Sequence, residues 1–555
     1  MRNISSKNRK AKRFTLSFLT FALVFIFFIK LGADNWPLDM GSAQPHFVGY
    51  RAVSMLNWSP ETDPYAEMLR SRVPLQTRIG HNKDTQINPD LNGKSEIMLM
   101  QADYGNSFFN STALNDTYAE NVLQFWQYVD YWSPWHGAAT AEVPSALYDP
   151  KTSDWRNRGF EFGLLNIPNP AYTDAAHRNG VKSIAILYVD PAFRPGQTVD
   201  EFFIKDENGR YIIADNMVKM ANYYGFDGWF INSEEYSNRK DWDGFNNQLR
   251  EQGMYVNYYD TNSSFNASKA ENLKHSDSVF VNYGWYDKSS YDYAVNNGYD
   301  PIKQVFMGVE ANQGGFGGKH NSTKVENLYE NANAGKKSLV TSLALFTPSD
   351  MYQRGVNVEG SEEAYPDYQL PQFQWMVEER ERMYFSGVKS DPTDTGRKSG
   401  FSRPDVVVND ASGWAGVADF APARSVISGS NFYSDFNTGK GRQYFLNGQV
   451  SKDELWTNIS LQSILPSWQW WVESTGNKLS VDYDYGKSDV RFDANNQAMN
   501  LPYEQVGAYN GGSSLVMYGK LTESNKVNLF KTDITVDNSS ELNITYKKYQ
   551  MIVRR

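Results

Sequence analysis

Between residues 96 and 346, short runs of apolar, β-branched and aromatic residues alternate with polar stretches. Runs of this length and composition predict β-strands. The predicted strands are residues 96–102, 126–131, 182–189, 226–231, 254–259, 278–283, 303–309 and 338–346.

Helical patterns separate several of these strands. They cover residues 169–179, 214–224 and 242–252, and Gly180, Gly225 and Gly253 follow them. A glycine after the last helical turn is favourable because it readily adopts the left-handed conformation that ends a helix. Strands that alternate with helices predict an α/β fold, here a (β/α)8 TIM-type barrel with its active site at the carboxyl ends of the strands.

The charged run EERER at residues 378–382 is expected to be a solvated helical face. The sequence pattern changes after this run. From about residue 388 onward, short alternating segments are broken by Gly, Asn, Asp and Ser, which is typical of all-β structure. We therefore predict a barrel over residues 34–386, including an N-terminal extension. One or two β-sandwich domains are predicted over residues 387–555.

The first 33 residues have the layout of a secretory signal. A basic stretch precedes apolar residues 14–29, and the small residues Gly32 and Ala33 suit a cleavage site. An uncleaved N-terminal membrane anchor is the alternative, since the apolar run is only slightly shorter than a membrane span. The pattern predicts an extracellular protein, secreted or anchored at the cell surface, and the lack of cysteine favours a Gram-positive bacterium as its source.

Composition narrows the possible functions. The 555 residues carry a formal net charge of -10, which argues against a nucleic-acid partner because nucleic-acid affinity depends on Lys and Arg neutralising phosphates. The absence of cysteine excludes disulfides, thiolate metal sites and a cysteine nucleophile. We expect a monomer that acts on neutral substrates and uses no cofactor or metal.

Two polar residues stand at the end of the fourth predicted strand. Asn232 and Glu234 are two positions apart, so both side chains project into the barrel mouth. The segment resembles the Asp-Gly-X-Asp-X-Asp-X-Glu pattern of chitinase-like barrels, but Phe230 and Asn232 replace two of its aspartates. In such sites the glutamate is the general acid, and the residue two before it holds the 2-acetamido group of the substrate, whose oxygen attacks the anomeric carbon.

Asn-X-Glu after Gly-Phe-Asp-Gly-Trp resembles glycoside hydrolase family 85, the endo-β-N-acetylglucosaminidases that cut the chitobiose core of N-glycans. Further segments resemble the same family, and together they extend over residues 95–475. These are AAHRNGVK at 175–182, YD at 259–260, VNYGW at 281–285, FNTGKG at 436–441 and NISLQSILPSW at 458–468.

The resemblance implies a retaining, substrate-assisted mechanism. Glu234 would protonate the glycosidic oxygen and later deprotonate water, and Asn232 would orient the acetamide. It also implies that the glycan can be transferred to an acceptor sugar instead of water. The partners would be N-linked glycans, with a chitobiose core and mannose arms.

Four further residues are candidates for substrate binding. Tyr259, at the end of the fifth strand, resembles a substrate-contacting tyrosine of the family, although Tyr258 could be the one that faces inward. Trp285 could stack on a sugar ring. Glu310 and Asn312, after the seventh strand, could bind the mannose arms.

Two other functions remain open from the sequence. A chitinase-like glycosidase is disfavoured because Phe230 and Asn232 replace two of the three aspartates of that pattern. A non-catalytic glycan-binding protein would tolerate loss of the general acid, yet Glu234 is present. The enzyme is therefore the leading interpretation.

Overall fold

The computed structural model describes fourteen stretches of the chain. They are residues 49–50, 52–63, 66–67, 69–102, 123–135, 165–189, 199–234, 239–311, 325–348, 371–397, 413–467, 471–487, 490–495 and 497–548. The predicted signal segment and Asn312 lie outside them. Within these stretches, no helix combines the length and the apolar character that crossing a bilayer requires.

Eight parallel strands close into a barrel, as the alternating pattern predicts. The strands before residue 350 are β1 (Gly49–Tyr50), β2 (Ile97–Ala102), β3 (Tyr131–Trp135), β4 (Leu165–Asn166), β5 (Lys182–Val189), β6 (Gly228–Ser233), β7 (Tyr255–Tyr259), β8 (Ser278–Val281), β9 (Val305–Glu310), β10 (Tyr329–Asn331), β11 (Lys336–Leu339) and β12 (Ser342–Phe346). The barrel order is β2-β3-β5-β6-β7-β8-β9-β12, and β12 pairs with β2 to close it. The TIM-type barrel is thus confirmed.

The helices of the described residues are α1 (Ala52–Met55), α2 (Pro170–Arg178), α3 (Ile212–Tyr224), α4 (Arg239–Glu251), α5 (Ala267–Ala270), α6 (Ser289–Asn296) and α7 (Pro371–Ser386). Local chemistry fixes the ends of two of them. The side chain of Asn169 accepts a hydrogen bond from the backbone N–H of Ala171 at the start of α2. Gly225 ends α3 with a φ of 82°, a conformation that glycine adopts without steric cost.

Two of the predicted strands differ from the structure. Residues 126–128 form a 3-10 turn, and β3 begins only at Tyr131. The predicted strand 338–346 is two strands, because β11 ends at Leu339 in a hairpin with β10 while β12 joins the barrel.

Side chains alternate between the interior of the barrel and the layer under the helices. Phe230, Tyr259, Phe280 and Phe306 belong to the interior cluster, whereas their neighbours along each strand pack against the helices. This alternation brings every second residue of a strand to the axis of the barrel. The last inward position of each strand therefore lies at the mouth.

The barrel ladder is interrupted on one side. Strand β3 pairs with β5 at Tyr131 and Trp132 only, within the described residues. Nearer its carboxyl end, at Ile186 and Leu187, β5 pairs instead with the antiparallel strand β4. Strands β3 and β5 thus separate toward the mouth, and β4 occupies the edge that β3 leaves.

Beyond α7 the chain forms short strands paired in two-stranded sheets, which agrees with the predicted all-β texture. They are β13 (Ser428–Gly429), β14 (Lys440–Gly441), β15 (Tyr444–Leu446), β16 (Gln449–Lys452), β17 (Trp456–Thr457), β18 (Val472–Ser474), β19 (Ser480–Asp484), β20 (Arg491–Phe492), β21 (Ala498–Met499), β22 (Ser514–Tyr518), β23 (Asn525–Val527) and β24 (Asp533–Ile534). The domain boundaries and the number of sandwiches stay predictions.

The charged run on α7 is buried, so its prediction as a solvated face is wrong. Glu378 lies 2.8 Å from Nη2 of Arg382 and 2.9 Å from Nζ of Lys440. Arg382 also contacts Asp482 on β19 at 2.9 Å, and Arg491 on β20 contacts the same aspartate at 2.8 Å. These ion pairs join the helix to the C-terminal strands, which shield it from water.

Candidate active site

Asn232 and Glu234 lie together at the mouth of the barrel, at the end of β6. Nδ2 of Asn232 donates a hydrogen bond to Oε1 of Glu234 over 3.2 Å. The backbone N–H of Glu234 donates to the carbonyl of Val189, at the end of β5, over 3.0 Å. The neighbouring strand therefore holds the backbone that presents the carboxyl group, whose side chain is half-buried.

The hydrogen bond fixes the polarity of the Asn232 amide. An amide amino group can only donate, so Oε1 of Glu234 is the accepting oxygen of this bond, and the carbonyl oxygen of Asn232 points elsewhere. That Oδ1 atom is buried and accepts no hydrogen bond from the described residues. An unsatisfied buried acceptor costs free energy, which an N–H donor from a ligand would recover.

Tyr259 faces the barrel interior, and Tyr258 packs outward. The Tyr259 ring lies beside Phe230, with ring centres 6.3 Å apart, whereas Tyr258 contacts Trp242 in the outer layer. The Tyr259 hydroxyl accepts a hydrogen bond from Nδ2 of Asn282 over 2.8 Å. Burial raises the pKa of Tyr259 well above its ordinary value, and the charge of Glu234 raises it further although the Asn282 bond opposes this.

Glu310 ends β9 on the inward side and is 2% exposed. The ring of Tyr283, just after β8, stacks on Phe346 with centres 6.0 Å apart. Burial, then the charges of Glu310 and Glu234, raise the pKa of Tyr283 to about 12. The phenol of Tyr283 is therefore neutral at physiological pH.

Trp285 lies in the layer outside the barrel. Its side chain is 3% exposed, packs in the outer core and donates from Nε1 to the carbonyl of Gly308 over 2.7 Å. This placement corrects the prediction that the ring stacks on a sugar, because a stacking ring needs an exposed face.

Asp227 and His177 form a pair at the opposite end of β6. Oδ2 of Asp227 lies 2.9 Å from Nε2 of His177 and accepts the backbone N–H of Ser183 over 2.7 Å. Nδ1 of His177 lies 2.7 Å from the carbonyl of Val73. These contacts tie β5, β6 and α2 together beneath the site.

The structure brings together Asn232, Glu234, Tyr259 and Glu310 and separates Trp285 from them; Asn312 lies outside the described residues. It adds Asn282 and Tyr283, which the sequence analysis did not select. Phe280 is an inward residue of β8, so the strand period already points Asn282 inward as well. The described stretches contain no group of three or more His, Cys, Asp or Glu arranged to hold a metal ion.

Comparison with protein families identifies a match over much of the chain. The model of a family described as Glycosyl hydrolase family 85 matches residues 104–444, a stretch that contains both Asn232 and Glu234. It begins just after β2 and ends at the first residue of β15.

Comparison with curated proteins finds relatives of the same kind. Cytosolic endo-beta-N-acetylglucosaminidase 2 of Arabidopsis thaliana is 26% identical over 416 residues, which cover 70% of this chain and 51% of that protein. Cytosolic endo-beta-N-acetylglucosaminidase of Danio rerio is 25% identical over 365 residues, 61% of this chain and 42% of that protein. The chain thus spans about half the length of the curated relatives that it matches.

The names of these relatives contradict the predicted location. Four matching proteins from Arabidopsis thaliana, Danio rerio and Gallus gallus are named as cytosolic enzymes. The prediction of an extracellular protein is therefore wrong by this comparison.

Among solved structures, the glycoside hydrolase domain of Endo-D from Streptococcus pneumoniae superposes with a TM-score of 0.60. It is 24% identical in sequence, and the match covers 87% of this chain and 68% of that chain. This similarity supports the fold described above.

Proposed function

Because the chain belongs to glycoside hydrolase family 85, we propose that it is an endo-β-N-acetylglucosaminidase acting on N-glycans. The bond cut is the β-1,4 linkage between the two core N-acetylglucosamines. The names of the curated relatives support this activity, and the Asn232 and Glu234 pair supports the mechanism.

The first step forms an oxazoline from the substrate itself. Oδ1 of Asn232 accepts the N–H of the 2-acetamido group and turns its carbonyl oxygen toward the anomeric carbon. That oxygen forms a bond to the carbon while the bond to the leaving sugar breaks, and Glu234 gives its proton to the departing oxygen. The glycan is held as an oxazolinium ion that keeps its N–H on Oδ1 of Asn232, and Glu234 becomes a carboxylate, whose charge balances that of the ion.

The second step reverses the proton transfer. Glu234 takes a proton from water as the water oxygen attacks the anomeric carbon, and the oxazoline reopens to the acetamide. Two displacements at one carbon retain its configuration. A sugar hydroxyl bound in place of water would give transglycosylation by the same route.

The observation that carries this proposal is the polarity of the Asn232 amide. Its amino group is engaged by Glu234 at 3.2 Å, and its buried oxygen accepts no hydrogen bond from the described residues. The acetamide N–H of an N-acetylhexosamine is a donor of the required kind. A substrate without that N–H would leave the oxygen unsatisfied.

Tyr259 and Glu310 extend the proposed site. Tyr259 would contact the sugar whose acetamide reacts, since it lies beside Asn232 in the register of β6 and β7. Glu310, at the end of β9, would contact the mannose arms. We propose that the protein acts as a monomer.

The test is mass spectrometry of a high-mannose glycoprotein incubated with the full chain. We expect the glycan to be released with one N-acetylglucosamine left on the asparagine. Glu234→Gln, which preserves shape and removes the acid, should abolish release, and Asn232→Ala should lower the rate by about 100-fold or more. Glu251→Gln, at an exposed helix end, is the matched control and should act like the wild type.

Two results would overturn the proposal. One is an intact glycoprotein in the presence of correctly folded wild-type chain, with chitin oligomers cleaved in a parallel reaction. The other is release that survives Glu234→Gln.

A further inference from the structure

A chain of hydrogen bonds runs from the backbone of the mouth to Tyr259. The backbone N–H of Gly284 donates to Oδ1 of Asn282 over 3.0 Å. Nδ2 of Asn282 then donates to the Tyr259 hydroxyl oxygen over 2.8 Å. Asn282 thus connects a fixed backbone amide to a residue of the proposed site.

The direction of this chain is determined by its first member. A backbone N–H can only donate, so the atom of Asn282 that faces Gly284 must be the carbonyl oxygen. The amino group is then the part of Asn282 that faces Tyr259. Because that amino group has only hydrogens to offer, the Tyr259 oxygen accepts and its own proton must point elsewhere.

Asn282 itself is held on two sides. Its backbone N–H donates to the carbonyl of Asn262 over 3.1 Å. The backbone N–H of Asn262 in turn donates to Oδ1 of Asp260 over 2.9 Å. Asp260 forms an ion pair with Lys269, whose side chain is fully buried. These contacts fix the backbone that carries the Asn282 amide.

The ring of Tyr259 is also fixed. It packs edge-on against Phe280 with ring centres 5.2 Å apart and lies beside Phe230. Its partner in the register of the adjacent strand β6 is Asn232, which bonds Glu234. Tyr259 and Glu234 are thus both neighbours of Asn232, and the Tyr259 proton, which the Asn282 amino group cannot accept, is free to donate on that side.

We propose that Asn282 is a positioning residue that fixes the Tyr259 hydroxyl as a hydrogen-bond donor toward Glu234. This inference rests on the proposed function. The donated bond stabilises the carboxylate form of Glu234, which appears when the acid has given its proton to the leaving sugar. In this role Asn282 acts through the direction of the tyrosine proton.

A double-mutant cycle tests this role in the full chain. Tyr259→Phe removes the donor, and we expect it to lower kcat for glycan release by about 10-fold or more. Asn282→Asp places an acceptor where the donor was, so the Tyr259 proton turns toward residue 282, with a similar loss. Asn282→Leu removes the contact without adding charge.

The losses of kcat caused by Tyr259→Phe and Asn282→Leu should not be additive in free energy. In the Tyr259→Phe background, Asn282→Leu should cause less than about a twofold further loss, because the hydroxyl that it directs is absent. Independent, multiplying losses would overturn the proposal. Asn297→Asp, an exposed position after α6, makes the same chemical change away from the mouth and should leave kcat unchanged.

The pH profile separates positioning from a structural role. Loss of a donor to the carboxylate raises the pKa of Glu234, so the limb of the profile that reports this acid should move to higher pH. The movement should be the same in Tyr259→Phe and Asn282→Leu. Slower variants whose profiles do not move would overturn the proposal.

A measurement independent of activity completes the test. 3-Fluorotyrosine placed at position 259 reports on the phenol by its fluorine signal, and Asn282→Leu should shift this signal where Asn297→Asp does not. An unchanged signal would overturn the proposal. If the wild type releases no glycan, the proposed function fails, and the fluorine signal alone decides whether Asn282 directs the hydroxyl.

Discussion

Nε2 of His177 lies 2.9 Å from Oδ2 of Asp227, at the end of β6 opposite to Glu234. The other ring nitrogen of His177 lies 2.7 Å from the carbonyl of Val73. Both partners are acceptors, so only the doubly protonated imidazole can donate to both at once. In that form His177 and Asp227 are a charged pair at the base of the strand, and the proposed catalytic pair occupies its other end.

Stability should therefore depend on the protonation of His177. Burial lowers the pKa of His177, but the hydrogen bond and charge of Asp227 outweigh burial and raise it above 6.5. A group whose pKa is higher in the folded state than in the unfolded state stabilises the fold fully at pH values below its unfolded pKa. This contribution is lost as the pH rises through the folded pKa. Urea unfolding should show His177→Gln less stable than wild type by about 2 kcal/mol at pH 6. The difference in unfolding free energy between the two proteins should become smaller above pH 7. A difference that stays constant with pH would contradict this prediction.

Glu378 should stabilise the protein as an anion. Burial favours its neutral form, yet Lys440 and Arg382 outweigh burial and lower its pKa to about 2. Because this pKa is lower than the unfolded value of about 4.5, Glu378 stabilises the fold at pH values above 4.5. The contribution is lost as the pH falls toward 2. Glu378→Gln should cost about 3 kcal/mol at pH 7, because it leaves buried cations without their counter-charge. Its acid unfolding between pH 5 and 3 should be shallower than that of wild type.

Glu381, one turn along α7, should behave in the opposite way. Burial raises its pKa to about 8, although the backbone N–H of Gln124, which donates to Oε1 over 2.8 Å, opposes the rise. Its contribution is complete below about pH 4.5 and is lost as pH rises through the folded pKa. Glu381→Gln keeps the acceptor and removes the ionisation. Chemical denaturation at pH 8 should find this variant more stable than wild type by at least about 1 kcal/mol.

Glu310 should affect glycan binding more than chemistry. It lies at the inward end of β9, and we expect Glu310→Gln to raise KM for mannose-bearing glycans by about 10-fold with little change in kcat. A substrate trimmed to the chitobiose core should lose this sensitivity. Steady-state kinetics on both substrates check the expectation, and an equal loss of kcat on both would contradict it.

The strand pattern predicted the barrel because most of its strands are continuous apolar runs. The second strand was misplaced for two reasons. The aromatic stretch from Trp126 to Trp135 has no clear alternation, and Pro134 lies inside β3, where a proline argues against a strand. The break between β11 and β12 depends on a hairpin with β10, a pairing that local periodicity does not encode.

The site was predictable where the chemistry is local. Asn232 and Glu234 are two residues apart on one strand, so spacing alone brings them together. Asn282 acts through Tyr259, a residue 23 positions away along the chain, and only the closed barrel puts their strands side by side. The burial of Trp285 likewise depends on Gly308 of the next strand, whose carbonyl receives its N–H.

The separation of β3 from β5 has a consequence for how the barrel can vary. In a fully paired barrel, strand number and tilt fix the diameter at every level. Here β5 pairs with β4 instead of β3 near the mouth. The diameter of the mouth on that side is therefore not fixed by the strand pairing that closes the base of the barrel. The width of the entrance on that side can therefore differ between related chains while the described pairing of the eight strands at the base stays the same.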